Sequence, residues 1–239
     1  MTVPLHIGIV GCSAEGAALC YRTICAEGAA LLGPHAHPEV TLHTWSLADY
    51  VKALHGDDLP AVAALMLGSA RKLAAAGADF LICPDNTIHQ ALPLVAPSSP
   101  LPWLHIAEVL AAEAVARGHR RLGLTGTPWL VDSEVYPQAL RHHGLECVRP
   151  TDAERDEMGR LIMDELVCGI VRPETVTRFQ DLIAGFQRLG CDAVILGCTE
   201  IPLVIGDTNS ALPTLDSTRL LARAALRRAV APVDAPKSR

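Results

Sequence analysis

The sequence repeats itself about its midpoint, and that repeat constrains the fold more than any single motif. Gly77-Ala78-Asp79-Phe80-Leu81-Ile82-Cys83-Pro84-Asp85-Asn86 returns in pattern as Gly190-Cys191-Asp192-Ala193-Val194-Ile195-Leu196-Gly197-Cys198-Thr199, an offset of 113 (190 − 77). Ile7-Gly8-Ile9-Val10-Gly11 is echoed by Leu122-Gly123-Leu124-Thr125-Gly126 at an offset of 115 (123 − 8). Leu101-Pro102-Trp103-Leu104-His105 is echoed by Leu212-Pro213-Thr214-Leu215-Asp216 at 111 (212 − 101). Three echoes in one order at nearly one offset predict two similar halves.

Each half alternates short apolar runs with longer helical patterns. Ile7–Val10, Phe80–Cys83, Leu122–Leu124 and Ala193–Leu196 read as buried parallel strands. Ala14–Glu27, Pro60–Ala75, Ile106–Ala116, Asp152–Val167 and Glu174–Leu189 read as helices, with Pro60 suited to a helix start. The fold class is therefore α/β: two similar domains, each a parallel sheet flanked by helices, related by a pseudo-two-fold with the site between them. The expected division is 1–99 plus 212–239, with a returning C-terminal helix, against 100–211. The tail after Ala231 reads as frayed. Aromatics make up only 4% of residues against 50% hydrophobic, so the expected core is Leu, Val, Ile and Ala.

Several function classes are disfavoured. A net charge of −6 gives no footprint for nucleic acid or an anionic membrane. The longest stretch without Asp, Glu, Lys or Arg, Asn86 to Ala107, is broken by four prolines and cannot span a bilayer. Met1 to His6 shows no basic leader, and none of the eight cysteines forms a C-x-x-C pair; the expected setting is the cytoplasm, with free thiols. No G-x-G-x-x-G or Walker pattern supports a nucleotide. Lys52, Lys72 and Lys237 are poorly placed for a pyridoxal Schiff base, and His35/His37 and His142-His143 lack a third ligand, so neither cofactor nor metal is expected.

The repeat directs attention to Asp85 and Cys198, which follow buried strands at equivalent places. Ligands of open parallel sheets bind beyond the carboxyl ends of the strands. Two acid/base groups flanking one carbon are what stereo-inversion by proton transfer requires. Cys198 lies in Gly197-Cys198-Thr199-Glu200, between an apolar strand and an expected helix start, where amides and a helix dipole would draw a thiol's pKa down from about 8.5. Its competing reading is a small buried apolar residue. Asp85, ordinarily near 3.9, needs desolvation or a neighbouring acid to become a useful base; its competing reading is a helix cap. Asn86 and Thr87 beside it, and Thr127 in Thr125-Gly126-Thr127-Pro128, are candidate carboxylate contacts. Ser13 after the first strand and Thr199 and Glu200 after Cys198 complete the expected substrate contacts.

Those residues resemble the cofactor-independent aspartate/glutamate racemase family. The similarity runs from Ile7-Gly8-Ile9-Val10-Gly11 to Pro213-Thr214-Leu215-Asp216-Ser217-Thr218. It is most specific at Leu196-Gly197-Cys198-Thr199-Glu200-Ile201-Pro202, with Asn86-Thr87-Ile88-His89 and Gly126-Thr127 plus Tyr136 as further matches. The resemblance implies two pseudo-symmetric α/β domains, a homodimer, and an amino-acid substrate deprotonated at its α-carbon between two cysteines. Cys198 matches one of these; Asp85 stands where the other would precede Asn-Thr, as in a subgroup that also lacks that cysteine. By the same resemblance Asn86, Thr87, Thr127 and Thr199 hold the substrate carboxylate. The leading expectation is a racemase or epimerase using Cys198 and Asp85. The alternatives are an arylmalonate-decarboxylase-like lyase with Cys198 as proton donor, and a non-catalytic binder of small carboxylates.

Overall fold

The computed structural model describes residues 3–231; the stretch read as a frayed tail and Lys237 lie outside the described residues. Among the described residues, eight strands form two sheets. β1 (Ile7–Gly11), β2 (Val40–Thr44), β3 (Phe80–Ile82) and β4 (Trp103–Leu104) pair in the order β2-β1-β3-β4. β5 (Arg121–Thr125), β6 (Glu146–Val148), β7 (Ala193–Leu196) and β8 (Thr214–Asp216) pair in the order β6-β5-β7-β8. Every pairing is parallel, and the two orders are the same once the strands of each half are numbered alike. The three sequence echoes are thus β1 with β5, β3 with β7 and β4 with β8. Hydrogen bonding carries the first sheet through Leu104 and the second through Asp216, beyond the expected divisions at 99/100 and 211/212.

Helices cover these sheets: α1 (Ala14–Leu32), α2 (Leu47–His55), α3 (Leu59–Ala75), α4 (Leu92–Val95), α5 (Ile106–Ala116), α6 (Pro128–Val131), α7 (Val135–His142), α8 (Asp152–Leu161), α9 (Pro173–Arg188) and α10 (Ser217–Val230). Their starts follow local chemistry. Ser13 caps α1 through the Gly16 amide, Asp58 caps α3 one residue ahead of Leu59-Pro60, and Thr151 with Glu154 forms a capping box on α8. The expected helix from Asp152 to Val167 is interrupted: α8 stops at Leu161 and a π turn, Ile162–Leu166, comes after it.

The strand interiors explain why four strands stand out in the sequence. β1, β3 and β7 are buried throughout, so they read as unbroken apolar runs. The edge strands β2 and β6 are half exposed and mix polar with apolar residues, which leaves no run to read. Ile7, Ile9, Phe80 and Ile82 on one face of the first sheet meet Leu221, Ala222, Ala225 and Ala229 of α10. Val10, Leu81 and Cys83 on the other meet α2 and α3. In the second lobe Leu122, Leu124, Val194 and Ile195 pack with α5, α7, α8 and α9. The expected aliphatic core is corrected in one respect: all three phenylalanines, Tyr50 and Tyr136 are buried within it, because each lobe needs a few large side chains to fill gaps between helices.

The lobes also exchange helices. α5 follows β4 yet its Ala107, Leu110, Ala111 and Ala114 join the second core, and α10 follows β8 yet returns to the first. The two helices pack on each other, and α10 lies along α1. That exchange brings the strand ends of both sheets to a common cleft.

Candidate active site

Four loops leave the carboxyl ends of the central strands and meet there. The loop after β1 supplies Cys12 and Ser13, that after β3 supplies Asp85, Asn86 and Thr87, that after β5 supplies Thr127, and that after β7 supplies Gly197, Cys198, Thr199 and Glu200; all line one cavity. All six expected substrate contacts and both expected acid/base residues are therefore on its wall. The close approach of β5 and β7 makes this possible. A Cβ on Gly197 would stand 2.4 Å from the Thr125 carbonyl oxygen, so only glycine lets the chain turn into Cys198 at that point.

Asp85 is 7% exposed, and its two oxygens accept the backbone N–H groups of Cys12 (3.0 Å) and Ser13 (2.9 Å). Burial lifts its carboxyl to about 6, against the hydrogen bonds from Ser13 and Cys12 that favour the carboxylate; the Glu200 charge adds to the rise. Asp85 thus has the desolvation that a carboxylate needs to become a useful base.

Cys198 behaves otherwise than expected. Its thiol is buried, 8% exposed, and donates to Glu200 Oε2 at 2.9 Å. Burial first, and the Glu200 carboxylate second, push it well above the usual thiol value. The expected downward shift from a helix dipole fails for a physical reason. The next element is only a three-residue turn, Ile201–Leu203, with little dipole, and the nearest charge is negative. The Cys198 thiol is therefore held in its protonated form.

Hydroxyls then tie the two lobes across the cleft. Thr199 gives its one hydrogen to Glu200 (2.6 Å), so Ser13 is the donor in its 3.1 Å bond to Thr199. Thr87 and Thr127 share a second bridge at 2.8 Å. Asn86 makes a third, donating to Ser217 (3.0 Å) while accepting from the Tyr136 hydroxyl (2.6 Å), which leaves its second N–H for a ligand. His89, of the Asn-Thr-x-His segment, stays behind the wall: it bonds the Cys83 carbonyl at 3.0 Å, and burial drives its pKa to about 3, so it braces the Asp85 loop as a neutral ring.

Sequence reasoning missed the rest of the wall. Leu47, Val51 and Leu54 of α2, Ile88, Trp129 of α6, and Ile162, Met163 and Val167 at the π turn also line the cavity, as does the Cys12 side chain. The helical spacing of Leu47, Val51 and Leu54 was an available signal; the π turn had none. Glu165 within that turn is buried and takes hydrogen bonds from Thr175 and Arg160, which anchors the irregular segment.

Twin parallel-sheet lobes, with a carboxyl and a thiol brought to one cleft from equivalent strand ends, define an isomerase of the racemase class. The chain belongs to the Asp/Glu/Hydantoin racemase family, whose profile matches residues 8–225. It is 25% identical over 161 residues to the broad specificity amino-acid racemase RacX of Bacillus subtilis, covering 66% of this chain and 68% of that one. Among solved structures it is similar to a candidate Asp/Glu racemase from Yersinia pestis, with a TM-score of 0.87 and 28% identity over 95% of this chain and 100% of the other. It is also similar to an aspartate racemase homologue from Pyrococcus horikoshii, with a TM-score of 0.80 and 25% identity over 95% of this chain and 99% of the other.

Proposed function

We propose that this protein inverts the α-carbon of an amino acid by passing a proton between Asp85 and Cys198. The observation that carries this reading is their pairing in one cleft at symmetry-related strand ends, one desolvated carboxyl and one neutral thiol. Asp85, ionised above about pH 6, takes the α-proton as the C–H electron pair moves into the substrate carboxylate. The Cys198 S–H bond then breaks as a new C–H bond forms on the opposite face. Ser13, Thr87 and Thr127, with the spare N–H of Asn86, offer the donors that a carboxylate taking up negative charge needs, while Thr199, its hydrogen spent on Glu200, orients the Ser13 hydroxyl. Glu200 and Asp85 supply the negative charge that suits an α-ammonium group.

Racemisation of this kind exchanges the α-hydrogen with solvent. Cys198→Ala is expected to slow α-deuterium uptake in D₂O by about 10²–10⁴-fold, the usual worth of an acid/base group. Full retention of exchange in that variant would remove Cys198 from the mechanism. A second reading draws on the thiol being held as an acid beside an apolar wall: protonation of an enolate after decarboxylation of an arylmalonate. Release of CO₂ from phenylmalonate, without exchange of any amino acid, would select it. All eight cysteines are free thiols, which supports a reducing, cytoplasmic setting. The homodimer rests on the family resemblance, and light scattering tests it.

A further inference from the structure

From the charge inventory of this cleft we infer that the substrate carries an apolar side chain, not an acidic or basic one. The inference rests on the proton-transfer reading, because that reading fixes where the α-carbon sits. The ionisable carboxyls on the wall, Asp85 and Glu200, are both at the reacting end, and among the described residues no Lys or Arg lines the cavity. With the carboxylate end on the hydroxyls and the α-carbon between Asp85 and Cys198, the side chain is left facing the rest of the wall. That wall is Leu47, Val51 and Leu54 of the first lobe and Trp129, Met163 and Val167 of the second. Trp129 packs against the first lobe's core cluster, and the His55 ring meets it edge-on at 5.1 Å, so the two lobes close this subsite together. His55 itself bonds the Val51 carbonyl and is not part of the lining.

A distal carboxylate entering such a subsite would lose its water, find no cation, and feel the charges of Asp85 and Glu200. Desolvation without a partner is what a site of this kind penalises most. A distal ammonium, although drawn by the same charges, would lose its water for an indole face and hydrocarbon, with no carboxylate on that part of the wall to pair with it. A leucine, methionine or phenylalanine side chain loses nothing on entry and gains burial.

The test is α-deuterium exchange of both enantiomers of Leu, Met, Phe, Asp, Glu and Lys by the intact enzyme, followed by proton NMR. The expected result is a kcat/KM for the best apolar substrate at least about 30-fold above that for Asp, Glu or Lys, a margin within reach of pocket discrimination. Any smaller ratio overturns the inference while leaving inversion by Asp85 and Cys198 intact. Absence of exchange with every substrate sinks both. Met163→Lys puts an ammonium on a side chain of similar length and is expected to narrow the apolar-to-acidic ratio at least about tenfold, whereas Met163→Leu should leave it within about threefold. An unchanged ratio in a folded Met163→Lys variant counts against the subsite; if that variant does not fold, the wild-type panel decides alone.

Discussion

Cys198 and Asp85 show how burial can hold two acids of one cleft in opposite protonation states. Burial raises both, but the carboxyl comes to about 6 and is ionised at neutral pH, while the thiol is pushed further above neutrality and stays protonated. The profile of kcat/KM for exchange should therefore climb with pH through about 6, as Asp85 loses its proton. A flat profile between about pH 5 and 7 would argue against Asp85 as the base. The same shift bears on stability. The folded state keeps a proton that the unfolded chain, near 3.8, has lost, so Asp85's contribution is complete below that value and is lost as the pH rises through about 6. Glu200 is the second cause of the high thiol value, so Glu200→Gln should lower it. Mass-spectrometric tracking of Cys198 alkylation against pH should show an earlier onset, by roughly one unit if a single nearby charge is removed. The cysteine and the aspartate were legible as a pair from the repeat alone. Their protonation states were not, because these depend on a carboxylate two residues along the chain being folded back under the thiol.

At the scale of elements, β7 and the turn after it position the thiol, and Gly197 is where that positioning is most exposed to test. Gly197→Ala would drive a methyl group into the Thr125 carbonyl of β5, a backbone atom that cannot rotate aside. A loss of about 1–3 kcal/mol is expected, with Tm falling by several degrees and exchange slowed as Cys198 shifts. Calorimetry and exchange rates on the same sample check both, and a Tm equal to wild type would contradict the packing. Buried strands and the helix opened by Pro60 were readable because their signals are local, an apolar run and a proline at a start, whereas the caps Ser13 and Thr151 came only with the structure. Nor was the π turn after α8 readable. Ile162 to Leu166 carries an ordinary helical sequence, and the widening there accompanies Glu165 bonding Thr175 and Arg160 at a distance in the chain. Such insertions often lie at functional sites, and this one turns Met163 and Val167 onto the cleft wall.

At the scale of the whole molecule, the lobes are joined by the exchanged helices α5 and α10 and by side-chain bonds across the cleft. The Tyr136–Asn86 bond is the most buried of these, linking α7 of one lobe to the Asp85 loop of the other. Tyr136→Phe removes the donor and leaves the buried Asn86 oxygen without that partner. The expected cost is about 1–3 kcal/mol in thermal or urea unfolding, against little change if the bond were dispensable. The hydroxyl pairs Ser13–Thr199 and Thr87–Thr127 are of another kind, since a substrate carboxylate can replace one partner of each.

The sequence alone was enough for the twin-lobed α/β architecture, the strand ends that meet, and the placing of Asp85 and Cys198 on one cavity. It could do so because a repeat, an apolar run and a glycine-flanked cysteine are properties of neighbouring residues. Tertiary structure alone decided that Asp85 is ionisable near neutrality, that Cys198 is held as an acid, and that the far wall of the cleft is hydrocarbon. Each of those depends on groups brought together from distant parts of the chain, where burial and the nearest charge set the chemistry.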